Sequence, residues 1–220
     1  MLLIDAGTSY IKTFDTSLNE YKTYSINEIN TLKNKPVLFA TGHNRNIFKE
    51  AKKINELVTL SKGASTLVKE TNYTIIDLGS RDIKSIEIKN GKFSKCNWNS
   101  SCGAMIGFTL ELMYKYFNIN EAELKMVEKP IDITCGLLGI TKFFDLISKN
   151  NDAVNDSISS LVYGMAKYTW IFSNKCEKIY LSGGLSENKL FVSYLNKLGA
   201  ELIPLGRYVL IEGLKTYSKI

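Results

Sequence analysis

The sequence is short of the residues that build zinc sites and disulfide frameworks. Its 220 residues include one histidine, three prolines and four cysteines. The lone His43 and the lack of any Cys-x-x-Cys pair argue against a zinc site within one chain. Cys96, Cys102, Cys135 and Cys176 are widely spaced, and a disulfide framework is not expected. Two of these thiols can still hold half of a metal cluster if a second subunit supplies the other half. No apolar run approaches the roughly 18 residues needed to cross a bilayer. There is no charged-then-apolar leader, so the chain is expected to be cytoplasmic, with no membrane partner. The net charge of +6 is scattered as isolated lysines, and the Lys49 to Lys53 block reads as a solvated helix face. No basic-aromatic stripe accompanies it, so nucleic acid is not an expected partner.

What is present is an ordinary globular composition, 45% hydrophobic and 23% charged, in a chain long enough for one core or two small lobes. Within it one design occurs twice. Leu3-Ile4-Asp5-Ala6-Gly7-Thr8-Ser9-Tyr10-Ile11-Lys12 runs from an apolar strand through an acidic glycine turn to a lysine. Ile75-Ile76-Asp77-Leu78-Gly79-Ser80-Arg81-Asp82-Ile83-Lys84 repeats Asp, Gly and Lys at the same relative spacing. A strand ending in Asp-x-Gly carries a carboxylate and accessible backbone amides to a hairpin tip. Glycine lets a phosphate approach those N–H groups, and Thr8, Ser9 and Ser80 add hydroxyl donors. Two such loops facing each other can clasp a polyphosphate and its magnesium ion.

Periodicity supplies the scaffold. Leu2 to Asp5, Ile11 to Asp15 and Tyr21 to Ile26 read as strands, as does Pro36 to Gly42. Ile47, Ala51, Ile54 and Val58 fall at helical spacing, and Ser61 to Ser65 opens a further helix or turn. A second set starts at Tyr73, with strands to either side of the glycine turn, an Asn90-Gly91 hairpin and a strand from Lys92 to Trp98. Helices are expected over Ala104 to Phe117, over Leu137 to Ser148 with Leu138, Thr141, Phe144 and Leu146 to Ile147 facing inward, and over Ala153 to Phe172. Lys178 to Gly184 is a strand ending in a double glycine; a helix from Asn188 to Leu198, a strand at Glu201 to Pro204 and a last helix at Val209 to Tyr217 follow. The result is a duplicated α/β protein with a cleft between two halves.

The order Asp-x-Gly-Thr with its lysine, a second Asp-x-Gly with its lysine, and then Ser182-Gly183-Gly184 is similar to the phosphate and adenosine motifs of the actin-like ATPases and sugar kinases. More narrowly, the chain resembles the ATPase activators of 2-hydroxyacyl-CoA dehydratases and the ATP-binding subunits of benzoyl-CoA reductase. Thr41-Gly42-His43-Asn44-Arg45 resembles that family's Thr-Gly-Tyr-Gly-Arg, and Asn55 to Ala64 its Glu-Ile…Lys-Gly-Ala. Leu181 to Asn188 matches the adenosine segment, and Cys102 and Cys135 fall where the family places its cluster cysteines. The sequence departs from the pattern at Arg81, where glutamine is common, at Ser61, and at Met105-Ile106 after the first of these cysteines.

The resemblance implies a duplicated ribonuclease H-like fold, with residues 1–70 as a first lobe, 205–220 packing back on it, and 71–204 as the second. It implies ATP and Mg²⁺ as ligands, with Asp5, Asp77, Asp82 and Lys12 catalytic and Asp5 and Asp77 reaching the magnesium through water. Gly7, Thr8, Ser9, Gly79 and Ser80 would hold the phosphates, and Gly183, Gly184 and Asn188 the adenosine. Asp82 either orients the attacking water or pairs with Lys84 or Arg81. Cys102 and Cys135, each expected just before a helix, would bind half of a [4Fe–4S] cluster shared across a homodimer, with Cys96 and Cys176 structural. The implied activity is ATP-driven delivery of a low-potential electron from a donor such as ferredoxin or flavodoxin to a client iron–sulfur dehydratase or reductase. A small-molecule kinase of the same fold and a nucleotide-sensing assembly protein without a cluster remain as alternatives.

Overall fold

The structure, a computed structural model, describes residues 1–99, 106–132, 136–149 and 153–218. Cys102 and Cys135 fall outside these. Two mixed five-stranded sheets share one plan. In the first, β1 (Leu2–Ala6) is central, with β2 (Tyr10–Asp15) and β3 (Glu20–Ser25) antiparallel on one side and β4 (Val37–Thr41) and β5 (Lys52–Lys53) parallel on the other. In the second, β6 (Tyr73–Leu78) takes the place of β1. It is flanked by β7 (Ile83–Lys89) and β8 (Lys92–Asn99) on one side and by β9 (Lys178–Gly183) and β10 (Glu201–Gly206) on the other. The two-lobed α/β architecture read from the sequence is thus the one the chain forms.

All of β1 is buried because its alternating side chains serve two cores. Leu2, Ile4 and Ala6 pack with Ile11, Leu32 and Phe48, whereas Leu3 packs with Phe14, Phe39, Ile211 and Leu214. The short helix α1 (Ile29–Leu32) supplies Leu32 to the first of these cores. β6 divides in the same way. Tyr73 and Ile75 join Leu60 and Ala64 of α2 (Glu56–Leu67), and Ile76 and Leu78 join the larger cluster beneath the outer helices. Those outer helices are α3 (Gly107–Tyr116), α4 (Gly136–Lys149), α5 (Val154–Phe172) and α6 (Lys189–Lys197). α5 buries Ser159, Ser160, Gly164 and Ala166, small residues that let it pack closely, and Ser159 shares a 2.7 Å hydrogen bond with the fully buried Tyr194 of α6.

Between the sheets lie α2 and α7 (Val209–Ser218). α2, which precedes β6 in the chain, packs on the second sheet, and α7, which follows β10, packs on the first. They touch where Gly63 faces the Val209 carbonyl and Gly213 faces the Thr59 carbonyl, and a Cβ at either glycine would overlap that oxygen.

Two sequence expectations fail. The apolar spacing from Ile47 to Val58 does not make a helix. After a 3-10 turn at Arg45–Ile47 the chain extends through β5, burying Ala51 and Ile54, and α2 starts at Glu56. Asn55 sets that start, because its side chain accepts from the N–H groups of Leu57 (2.9 Å) and Val58 (3.4 Å) and so caps the helix. In α4 Ile147 packs on the core as expected, but Phe143 takes the inward place expected of Phe144, which is exposed and lies against the rings of Tyr116 and Phe117. Phe143 meets Phe117 beside the core, which turns the next residue outward.

Candidate functional site

The tips of the two repeated hairpins face one cavity of about 450 Å³. Asp5, Gly7, Thr8, Ser9 and Lys12 line it from the first sheet, and Asp77, Gly79, Ser80 and Asp82 from the second. Gly183, Gly184 and Asn188 line it as well, so every described residue assigned from the sequence to catalysis or nucleotide contacts borders this space. Cys102 and Cys135 lie outside the described residues. α4 opens at Gly136, the residue after Cys135, whereas α3 opens only at Gly107, further from Cys102 than expected.

Strand register explains the convergence. Asp5 pairs across the sheet with Lys12 on β2 and Thr41 on β4, and Asp77 with Lys84 on β7 and Ser182 on β9. Each half therefore sets a carboxylate between a lysine and a hydroxyl. Each parallel neighbour then ends in a glycine of positive φ, Gly42 at +91° and Gly183 at +93°. A side chain at Gly42 would meet the Ala6 carbonyl (2.6 Å) and Asp5 Oδ1 (2.7 Å), and one at Gly183 would overlap the Leu78 carbonyl. Only glycine lets these turns press against the Asp-bearing strands.

The two halves use their charges differently. Asp5, 1% exposed, takes a 2.8 Å ion pair from Lys12 Nζ. Burial works to lower the Lys12 pKa, but the Asp5 carboxylate outweighs it and the ammonium is held above its usual range. Asp77 instead accepts a 2.7 Å hydrogen bond from Ser182 Oγ. Lys84, 2% exposed, pairs with Asp82 Oδ1 at 2.6 Å and with Glu56 Oε1 at 3.6 Å. Burial would lower its pKa too, but Asp77, Glu56 and Asp82 together raise it. Asp82 accepts from Lys84, one of the pairings left open for it, and its other oxygen accepts from Trp98 Nε1 at 2.9 Å.

Glu56, which the sequence reading did not single out, faces the same space from the first turn of α2. Burial drives its pKa up to about 7; Lys84 opposes this, and Asp5, Asp77 and Asp82 reinforce it. The available signal was an acidic residue directly after the Asn55 cap, inside the segment that carried the family resemblance. Ser80 Oγ donates to Glu111 Oε1 at 3.0 Å, and Asn188, while capping α6 through Phe191 N, donates to the Tyr114 hydroxyl at 3.2 Å. Burial pushes the Tyr114 phenol up to about 12. Arg207 forks onto Glu187 beside the Gly184 turn. Across the cleft, Arg81 donates to His43 Nε2 at 2.7 Å.

No group of three or more histidine, cysteine, aspartate or glutamate side chains placed to hold a metal ion occurs among the described residues. No helix of the described residues is long and apolar enough to cross a membrane.

No family model matches the chain. It is 27% identical over 196 residues to the (R)-2-hydroxyglutaryl-CoA dehydratase activating ATPase of Acidaminococcus fermentans, covering 81% of this chain and 74% of that protein. It is 29% identical over 178 residues to the activator of lactoyl-CoA dehydratase of Anaerotignum propionicum, covering 73% and 66%. Among solved structures, component A of the Acidaminococcus fermentans (R)-2-hydroxyglutaryl-CoA dehydratase superposes with a TM-score of 0.79 at 23% identity, over 99% of this chain and 96% of that one. The activator of 2-hydroxyisocaproyl-CoA dehydratase from Clostridium difficile, solved with bound ADPNP, gives 0.75 at 19% identity over 100% and 98%. The paired sheets thus have the fold of those two solved activators, and in sequence the chain is similar to ATPases that activate 2-hydroxyacyl-CoA dehydratases.

Proposed function

We propose that this protein binds Mg²⁺–ATP between its two sheets and hydrolyses it to drive electron delivery to a client iron–sulfur enzyme of the dehydratase class. The observation that carries the nucleotide half of this reading is the twofold arrangement of carboxylate, lysine and hydroxyl around Asp5 and Asp77, both facing one cavity. The ADPNP bound to the Clostridium difficile activator supports the choice of ligand.

In this reading the Gly7-Thr8-Ser9 and Gly79-Ser80 turns hold the β- and γ-phosphates through backbone and hydroxyl donors. Asp5 and Asp77 suit a magnesium ion held mainly through water and phosphate oxygens, because the ion needs few direct protein ligands. Bound there, magnesium would neutralise charge on the phosphates. Lys12 adds a fixed cation on the first side, and Gly183, Gly184 and Asn188 border the adenosine. Glu56 is the base. Its carboxylate is half-buried, near neutral pKa, and opens into the cavity. It accepts the proton of a water whose oxygen attacks the γ-phosphorus as the bond to the β-phosphate oxygen breaks. Asp82 and Lys84 position Glu56 through the 2.6 and 3.6 Å pairs.

The redox half rests on Cys102 and Cys135. Two thiolates per chain are half of a four-thiolate set, which a twofold homodimer completes. Cys135 directly precedes α4, where a helix N-terminus favours a thiolate. When bound, a [4Fe–4S] cluster supplies a one-electron carrier of low potential, loaded by a donor of the ferredoxin or flavodoxin type.

The test of the nucleotide half is release of inorganic phosphate from Mg²⁺–ATP with no phosphoryl acceptor added. The parent protein turns over, and Asp5→Asn and Asp77→Asn, which keep their shape and acceptor oxygens, each lose at least about 10²-fold in kcat. Parent-like hydrolysis by both variants removes the assignment. Turnover only in the presence of a small-molecule acceptor makes the protein a kinase instead.

A further inference from the structure

Among the described residues four lysine and arginine side chains border the cavity, and three are already committed to carboxylates. Lys12 is held by Asp5 at 2.8 Å, Lys84 by Asp82 at 2.6 Å, and Arg207 by a fork onto Glu187. Arg81 differs. Among the described residues its guanidinium has no carboxylate partner, and it donates to His43 Nε2 at 2.7 Å. A guanidinium has no lone pair to offer, so Nε2 accepts and the imidazole in this contact is neutral. Arg81 therefore rests on an uncharged acceptor, and leaving it separates no opposite charges.

Its location suits movement onto a phosphate. Arg81 sits at the tip of the β6–β7 turn, directly after Ser80, and the turn is closed behind it by the Gly79 N–H donating to the Asp82 carbonyl at 3.0 Å. Arg81 is exposed, unlike Lys84 two strand residues beyond the turn, which is buried. His43 follows Gly42, the residue pressed against Asp5. The Arg81–His43 contact thus spans the cavity mouth between the two phosphate turns, one from each sheet.

We infer that Arg81 is a further catalytic residue of the hydrolysis proposed above, an arginine supplied in the same chain that leaves His43 and lays its guanidinium fork on the terminal phosphate. This rests on the ATPase reading of the site. The planar fork matches two phosphate oxygens. The charge on those oxygens in the transition state is what such an arginine stabilises. Lys12 and Lys84 serve this purpose poorly, since Lys12 is half-buried, Lys84 is buried, and each would have to abandon a paired carboxylate. The chemistry is unchanged by Arg81, which breaks no bond and accepts no proton; it balances charge while water attacks and the diphosphate leaves. It also makes the site discriminate a triphosphate from a diphosphate, because only the triphosphate brings a group within the fork.

The test uses the full chain and compares the parent with Arg81→Gln, Arg81→Lys and Arg81→Ala. Steady-state hydrolysis is measured beside titrations of Mg²⁺–ADP and Mg²⁺–ADPNP. The expected result is a kcat about 10³-fold lower in Arg81→Gln and Arg81→Ala, the lower end of the range for such arginines. ADP affinity stays at the parent value in both, which also shows that they are folded, and the preference for ADPNP over ADP falls. Arg81→Lys recovers part of that preference and little of kcat, and millimolar guanidinium restores part of the rate in Arg81→Ala. Parent-like kcat in the variants overturns the inference and leaves the ATPase reading standing. So does an equal loss of ADP and ADPNP affinity, which makes Arg81 a general nucleotide anchor. A parent protein that binds neither nucleotide removes the ATPase reading first, and the inference with it.

Discussion

Glu56 Oε1 stands 3.6 Å from Lys84 Nζ, joining the first turn of α2 to the second strand of the other sheet. The contact ties the proposed base to the second phosphate turn, because Lys84 also holds Asp82 at 2.6 Å. A half-buried glutamate with Asp5, Asp77 and Asp82 around it has a proton affinity tuned to neutral pH rather than to the carboxylate range.

The rate should carry that signature. With Glu56 as base, kcat/KM rises with pH through an apparent pKa near 7, the value of the carboxyl in the free protein. Glu56→Gln should lower kcat by about 10²- to 10⁴-fold, the usual range for a general base, and abolish the acid limb in the remaining rate. A parent profile that is flat between pH 5 and 8 would assign the water to another residue.

Stability should show the same group with a defined sign. Burial raises the Glu56 pKa from 4.5 to about 7, so the folded state holds this proton more tightly than the unfolded chain does. The stabilisation is complete below the unfolded value and is lost as pH rises through about 7. In thermal melts of the nucleotide-free protein, Glu56→Gln should therefore gain on the parent from pH 5 to pH 8. A difference between the two that does not change with pH would mean that Glu56 is ionised throughout.

Much of the scaffold was legible in the sequence because its signals are local. Both hairpins announce themselves by apolar strands, an Asp-x-Gly turn and a lysine, and their strands fall within a residue or two of expectation. The start of α2 was not legible from periodicity, since Ile47, Ala51 and Ile54 mimic a helical face while packing against the first sheet from a 3-10 turn and the irregular and extended chain after it. The Asn55 cap was the better signal. The inward face of α4 depended on the Phe117–Phe143 contact, which links residues far apart in the chain. The same holds for the site. The Asp-bearing turns could be read one by one, but Glu56–Lys84, Ser182–Asp77 and Arg81–His43 are made only when the sheets come together.

The crossing of α2 and α7 gives a prediction independent of chemistry. Gly63→Ala and Gly213→Ala each place a methyl against a backbone carbonyl that belongs to the facing helix. Neither carbonyl can rotate away as a side chain would, so each change should cost at least about 1–3 kcal/mol, the usual penalty of overpacking. Denaturant unfolding checks this. Gly184→Ala is the control, because its Cβ would meet nothing within 4 Å, and it should unfold close to the parent.

The measurement that bears most directly on the account as a whole is iron content after oxygen-free purification, in the parent and in four single cysteine variants. The account predicts a coloured dimer that bleaches in air. Cys102→Ser and Cys135→Ser should each lose half or more of the iron, because each removes two of four ligands per dimer. Cys96→Ser and Cys176→Ser should keep it, since Cys96 lies exposed on β8 and Cys176 rests near the Lys178 carbonyl at 3.3 Å. A colourless monomer, or iron that survives loss of Cys102 and Cys135, would contradict the redox half and leave an ATPase of this fold without a cluster.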